Sequence, residues 1–358
     1  MIKSILVDFN CEKPCGETIE LLSNSAAFVD LGLTLQTWNV KDIAGTVLYT
    51  GSDGLSLLIQ WYPASPGKLY ATISGAARVQ QLADLLKKEL EEKNATSTVF
   101  TPPLKRGLEW NPYIQNCDGT VVENDFQELL FHDKSPFQDI KIYRSNNFGS
   151  YLLLDDDPNL ADSDIAYTKA ICGSETFDFT GKNVLILGGG DGGIINYLRN
   201  LSPTKPKYIE MIDIDEMVMK ACAKHMRATC GDAMDEFKGE GYEIFAEDCV
   251  PRLTRYGEEG KKFDFIISDL TAIPVDASDE KENDNQWDFM KLILNKCMLL
   301  LPEDGIYTTQ GHAYRSTHGI EEYRAILNSL NVEISSEAVS VPSYHEKWVF
   351  YTLRKKTE

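Results

Sequence analysis

Three features predict an α/β protein built around a doubly wound sheet. From about Asp164 onward, strand-like and helix-like segments alternate to the end of the chain. A glycine-rich run, residues 188–193, stands where one of those strands gives way to a helix. The first hundred residues carry a different pattern, β-α-β-β-β-β-α, which describes a sheet with two helices packed on one side. Composition agrees with several packed domains: 358 residues with 43% hydrophobic and 25% charged side chains supply two or three sizeable cores.

In order along the chain, residues 4–9, 33–38, 45–49, 55–62 and 69–74 read as strands and 17–29 as a helix. Residues 77–93 form a second helix, because Val79, Leu82, Leu85, Leu86 and Leu90 recur on one face at a period near 3.6. Residues 94–107 are polar, carry Pro102-Pro103 and show no period, so they read as a linker. The domains expected are therefore 1–108, an α+β module; 109–163, a small antiparallel β domain around a turn at Asn116-Cys117-Asp118-Gly119; and 164–358. The short β runs of the second are 129–131, 140–143 and 150–154. In the third, 183–187, 208–214, 242–246, 263–268 and 305–309 are strands and 319–330 a helix. Two β-branched, aromatic-rich runs, 332–341 and 348–353, close the chain with no helix between them. That ending suggests the S-adenosylmethionine-dependent transferase variant of the Rossmann-like fold.

Thirty-five basic and fifty-five acidic side chains leave a formal charge of −20. Such a chain repels phosphate backbones and anionic lipid and steers cations inward, so nucleic acid and membrane are not expected partners and a polycation is. No run of about 18 apolar residues is present, and Met1-Ile2-Lys3-Ser4 leads straight into a strand, so neither a membrane span nor a signal peptide is expected. The eight cysteines lie apart and read as reduced thiols of a cytoplasmic protein. Their spacing with histidine suits no metal site.

Gly188, Gly190 and Gly193 satisfy the G-x-G-x-x-G rule between strand and helix, with Asp213 about 20 residues on where a ribose ligand belongs. Asp191 inside this loop repels a pyrophosphate and favours a cationic ligand; a helix-start acid stabilised by the macrodipole is the other reading of it. Glu247-Asp248 and Asp269 fall at the carboxyl ends of later strands, the edge where open α/β sheets bind ligands. Asp248 suits an adenine amino group and the Cys249 N–H a ring nitrogen. Asp269 suits acceptance of a proton from a nucleophilic amine. Residues 275–285, acidic and aperiodic, read either as a lid or as a solvated loop.

Together these residues resemble the polyamine aminopropyltransferases, and among them the spermine synthases. The resemblance is carried by Ser135-Pro136-Phe137-Gln138-Asp139-Ile140-Lys141-Ile142, Ser163-Asp164-Ile165-Ala166-Tyr167-Thr168, residues 187–193, Glu247-Asp248-Cys249, Asp269-Leu270-Thr271-Ala272-Ile273-Pro274 and Pro342-Ser343-Tyr344-His345-Glu346. It implies transfer of the aminopropyl group of decarboxylated S-adenosylmethionine, a co-substrate, to spermidine, giving spermine and methylthioadenosine without cofactor or metal. It also implies that Gln138, Asp213, Asp248 and Cys249 hold the nucleoside and that Tyr167, Asp191, Tyr344 and Glu346 hold the acceptor amine. Asp269 is then the proton acceptor, and Asp164, by looser analogy, holds the donor's aminopropyl nitrogen. Ala272 stands where spermidine synthases tend to have a second Asp, which suits an amine longer than putrescine. The first 108 residues are expected to resemble S-adenosylmethionine decarboxylase and to form a homodimer. Two positions depart from the family pattern: Asp213 replaces a usual Glu, and His312 a frequent Asn. A spermidine synthase, or a methyltransferase acting on a small amine, is the alternative.

Overall fold

The computed structural model describes every residue except 13–14, 21, 23–24, 42–43, 117, 174–175, 271–279, 317–319 and 357–358. Its contacts divide the chain into two compact units, Met1–Asn111 and Pro112–Glu358, so segments 109–163 and 164–358 pack for the most part as one body. No described helix is long and apolar enough to cross a membrane.

The first unit runs β1 (Ile2–Cys11), α1 (Cys15–Glu20), α2 (Ala26–Asp30), β2 (Leu33–Val40), β3 (Gly45–Gly51), β4 (Ser56–Trp61), β5 (Lys68–Gly75), α3 (Val79–Glu91), β6 (Ala95–Phe100) and β7 (Leu104–Arg106). The sheet has the order β2-β3-β4-β5-β1-β6, with β7 also paired to β1. Along β4 the side chains of Leu57, Ile59 and Trp61 are buried and their neighbours are not, the period-2 signature of a sheet covered on one face. Ile19 of α1, Phe28 of α2 and Leu82, Leu86 and Leu90 of α3 join them in one core. Two expectations are corrected here. The helix expected over 17–29 is two short helices, α2 opening at Ser25 in extended conformation. The expected linker holds β6 and β7, both antiparallel to β1. Of β6 only Ala95 is buried, so the strand lacks the apolar alternation that would have marked it.

The second unit opens with the hairpin β8 (Tyr113–Gln115) and β9 (Val121–Glu123). A four-stranded antiparallel sheet follows in sequential order: β10 (Phe126–Lys134), β11 (Asp139–Ser145), β12 (Gly149–Leu154) and β13 (Asp157–Ala161). Next come α4 (Ile165–Cys172), β14 (Asn183–Gly188), α5 (Gly193–Arg199), β15 (Tyr208–Asp213), α6 (Glu216–His225), α7 (Arg227–Cys230), β16 (Lys238–Gly239), β17 (Tyr242–Ala246), α8 (Cys249–Glu259) and β18 (Phe265–Asp269). The chain closes with α9 (Glu280–Leu300), β19 (Ile306–Ala313), α10 (Ile320–Ser329), β20 (Val332–Val341), a 3₁₀ turn at Pro342–Tyr344 and β21 (Glu346–Lys355).

These last strands build one sheet of order β16-β17-β15-β14-β18-β19-β21-β20. From β17 to β19 the pairing is parallel, and β21 and β20 are antiparallel additions, as the helix-free ending required. Buried residues of β14 alternate between faces: Val184 and Ile186 enter one core, Leu185 and Leu187 the other. Ile140, Ile142, Leu152 and Leu160 of the antiparallel sheet share the first core, so that sheet packs on this body. The expected 275–285 loop is corrected in part: residues 280–285 begin α9, while 275–279 lie outside the described residues.

Candidate active site

The chain leaves β14 toward β15 on one side while β18 pairs on the other, so the edge at Gly188 is the switch point where open α/β sheets take ligands. Parallel register sets Gly188 beside Asp269, and Asp213 beside Ala246, just ahead of Glu247 and Asp248. The turn out of β14 is tight: Gly188, Gly189 and Gly192 have φ of +78°, +76° and +79°, and a Cβ on Gly188 would lie 2.2 Å from the Asp269 carbonyl oxygen. Asp191 Oδ1 accepts the Gly193 N–H at 2.7 Å where α5 begins. Its side chain is buried yet lines the cavity, so the helix-start role and the ligand-facing role coexist.

A cavity of about 730 Å³ opens over this edge. Seven carboxylates line it (Asp157, Asp191, Asp213, Glu247, Asp248, Asp269 and Glu346), and no lysine or arginine does among the described residues. One wall is the β10–β13 sheet. Gln138 and Asp157 lie at the end where Lys134 pairs with Asp139, and Asn124 lies at the end where Phe126 pairs with Ser145. β11 holds seven residues between those ends, a run of about 20 Å at the usual strand rise.

At the Gln138 end, Gln138 Nε2 donates to Asp215 Oδ2 at 2.9 Å, and Ser135 Oγ donates to the same oxygen at 2.6 Å. Asp215 caps α6 through the Met217 and Val218 N–H groups, so one buried acid locks the wall to the helix. Asp213 accepts the Gly190 N–H at 2.9 Å and the Asp215 N–H at 2.8 Å. Its short side chain fits here: a Cβ on Gly190 would stand only 2.8 Å from Asp213 Oδ2. Asp248 caps α8 through the Val250 N–H, beside the buried Cys249, whose thiol burial and Asp248 push up to about 11.

In the middle, the Tyr167 hydroxyl donates to Asp269 Oδ1 at 2.6 Å. The ring of Tyr344 meets those of Tyr167 and Trp348 edge-on, and its hydroxyl donates to the Asn159 carbonyl. Burial, then the Asp191 charge, raises the Asp269 carboxyl well above the carboxylate range; the Tyr167 hydrogen bond opposes this. Asp191 is likewise raised, by burial first. Burial and then Asp118 raise Glu346, against Arg315, which pairs with Asp118 at 2.8 Å. Burial and neighbouring like charge cause all three shifts, and a cation placed beside these carboxylates would lower them again.

The structure thus brings Gln138, Tyr167, Gly188, Gly190, Asp191, Asp213, Asp248, Cys249, Asp269, Tyr344 and Glu346 to one cavity. Asp164 is the exception. It is 1% exposed and does not line the cavity; its oxygens accept from Ala161 N, Ser163 Oγ, Ser343 N and Ser343 Oγ. Asp164 therefore anchors the 3₁₀ turn that presents Tyr344. His312 also stands behind the cavity: with Nδ1–H donated to the Ala313 carbonyl, Nε2 accepts the Tyr351 hydroxyl, and burial lowers its pKa.

Sequence reasoning missed Asp215 and Gln310. Asp215 had a signal, a capping residue directly before a helix. Gln310 donates to the Leu270 carbonyl at 2.7 Å and accepts the Trp348 indole N–H at 2.9 Å, a bridge between distant segments that no local pattern announces.

A pH effect follows from these charges. Were Asp269 the base, it would act deprotonated and kcat/KM would rise with pH through its pKa, which the Asp191 charge raises. Asp191→Asn is expected to lower activity and to move the acid limb of the pH profile to lower pH. An unmoved limb would dismiss Asp269 as the group that titrates.

Residues 164–358 match the model of the spermine/spermidine synthase domain, and residues 110–162 match that of the spermidine synthase tetramerisation domain. Among curated proteins, the polyamine aminopropyltransferase of Aeropyrum pernix is 28% identical over 254 residues, 68% of this chain and 74% of that protein. That of Methanocaldococcus jannaschii is 31% identical over 195 residues, 52% of this chain and 59% of that protein, little more than half its length. Among solved structures, spermidine synthase from Thermotoga maritima is similar at TM-score 0.54 and 18% identity, covering 71% of this chain and 84% of that one. A spermidine synthase in complex with the transition-state analogue AdoDATO is similar at TM-score 0.56 and 19% identity, covering 71% and 85%. These two likenesses concern the fold. With a family model spanning more than half its length and a glycine-loop edge ringed by carboxylates, the chain belongs to the spermine/spermidine synthase family, the polyamine aminopropyltransferases.

Proposed function

We propose that this chain transfers the aminopropyl group of decarboxylated S-adenosylmethionine to spermidine, giving spermine and methylthioadenosine. The observation that carries the proposal is the cavity lined by seven carboxylates and no lysine or arginine among the described residues. A sulfonium and a triamine are both cationic, and a long cavity of one sign focuses them. Ala272, outside the described residues, supplies no second carboxylate next to Asp269, which favours the longer amine over putrescine.

In this mechanism a terminal amine of spermidine gives its proton to Asp269, which the Tyr167 hydroxyl holds in orientation. The freed lone pair attacks the aminopropyl carbon next to sulfur. The N–C bond forms as the C–S bond breaks, and the electron pair leaves on sulfur as neutral methylthioadenosine. Asp191, Tyr344 and Glu346 fix the amine, so orientation lowers much of the barrier. Gln138, Asp213, Asp248 and Cys249 hold the nucleoside, and no metal takes part.

In the same reading the Met1–Asn111 unit is a decarboxylase-like module that joins two chains. The decisive experiment mixes purified protein and decarboxylated S-adenosylmethionine with spermidine or with putrescine. Spermine with equimolar methylthioadenosine from spermidine alone is expected. Spermidine from putrescine would move the chain to the sister activity, and a methylated amine from S-adenosylmethionine would overturn aminopropyl transfer. Light scattering on the same preparation is expected to give twice the chain mass; four times that mass would replace the dimer with a tetramer.

A further inference from the structure

Asn124 joins the β8–β9 hairpin to β10 and lines the cavity at the end remote from Gln138. It is 3% exposed, and neither its Oδ1 nor its Nδ2 has a hydrogen-bond partner among the described residues. Its backbone is satisfied separately, the N–H donating to the Pro112 carbonyl at 2.7 Å. An unpaired buried amide is costly, and a residue that keeps one against a cavity wall has a partner to gain there.

Several contacts identify this end with Glu346. Asp125 accepts the Asn146 and Asn147 N–H groups, and the next ring, Phe148, meets His345 edge-on at 5.2 Å. Phe126 packs against Tyr151, whose hydroxyl donates to the Ser343 carbonyl. Asn124 and Glu346 are thus held around one turn, at the opposite end of the β11 run from Gln138.

We infer that the Asn124 carboxamide is a specificity-determining residue for the acceptor, its Oδ1 accepting an N–H from the ammonium group farthest from the reacting nitrogen. The inference rests on the amine acceptor proposed above. A carbonyl oxygen suits this place because it accepts from an ammonium without adding another buried charge to Glu346, Asp191 and Asp269. A diamine, lacking the third nitrogen, gains less from it.

The test is Asn124→Leu, close in volume and apolar, with Asn124→Asp as the variant that restores an acceptor oxygen. Asn124→Leu is expected to raise the KM for spermidine about tenfold, the loss of one hydrogen bond to a charged group. The KM for the nucleoside donor stays unchanged, the KM for putrescine moves less, and Asn124→Asp recovers spermidine binding. The melting temperature of Asn124→Leu is expected to hold or rise, because two unpaired polar atoms leave the interior; a purely structural asparagine would lower it on replacement. An unchanged KM for spermidine, or equal losses for donor and acceptor, overturns the inference and leaves the proposed reaction standing. Melting with spermidine and methylthioadenosine separates the opposite case. If the wild type turns over no amine but spermidine stabilises it and not Asn124→Leu, the reaction falls and the Asn124 site stands. If spermidine stabilises neither, both fall.

Discussion

Asp269→Asn is expected to lower kcat by about 10²- to 10⁴-fold while the protein stays folded. The amide keeps an oxygen toward the Tyr167 hydroxyl, which now donates to Asp269 Oδ1, so geometry is conserved and only the proposed proton acceptor is lost. Stability should hold or increase. The carboxyl is buried, and its pKa is raised, so the folded state binds its proton more tightly than the unfolded chain does. A group of this sign contributes most below its unfolded pKa, and the contribution is lost as pH rises through the window up to the folded value. At neutral pH folding must draw a proton onto this carboxyl, or bury its charge, and the amide escapes that cost. Steady-state turnover with thermal melting checks both halves. Wild-type turnover in Asp269→Asn would remove this residue from the mechanism, and collapse of the fold would make its role structural.

Gly188→Ala is the second large effect, and it acts through the backbone. The residue has φ of +78°, where a side chain costs about 1–2 kcal/mol. The new Cβ would also lie 2.2 Å from the Asp269 carbonyl oxygen, a backbone atom that cannot turn aside. Relief requires the ends of β14 and β18 to part, and they carry the glycine loop and Asp269. A displacement of about 1 Å at a reacting group costs on the order of 10² in rate. The expected variant melts several degrees lower and loses about 10²-fold in kcat/KM. Gly189→Ala provides the contrast, since its Cβ would meet side chains alone, Ile186 at 3.3 Å, Ile194 at 3.8 Å and Asp269 at 4.0 Å, although its φ is also positive. If Gly188→Ala matched Gly189→Ala in both readouts, close approach to β18 would not be the reason for glycine at 188.

The parallel core was legible because each of its strands is apolar and β-branched and ends at a turn or an acid, signals carried within a few residues. The carboxylates converged as expected for a related reason: strand-end positions in parallel register share one edge whatever lies between them. What stayed hidden depends on distant partners. β6 is an edge strand with one buried residue, and only pairing to β1 makes it a strand. The two-helix form of segment 15–30 turns on where α2 starts, and termini are the weakest inference from periodicity. Asp164 shows the limit for site residues. A looser analogy with related synthases makes it a ligand of the donor's aminopropyl nitrogen, yet its oxygens are taken by Ser163, Ala161 and Ser343, the last 179 residues away.

The place of β21 has a consequence for how the molecule is made. This strand follows the other described strands of its sheet in the chain, yet it lies inside the sheet, between β19 and β20. A nascent chain can pair β14, β15, β17, β18 and β19 as they emerge, and must then hold the flank of β19 open until residues 346–355 leave the ribosome. Glu346 opens that segment, and Tyr344 stands two residues ahead of it. The cavity therefore lacks part of its lining until this segment has emerged, and a chain stalled before residue 346 would present an unpaired β19 edge to chaperones and proteases.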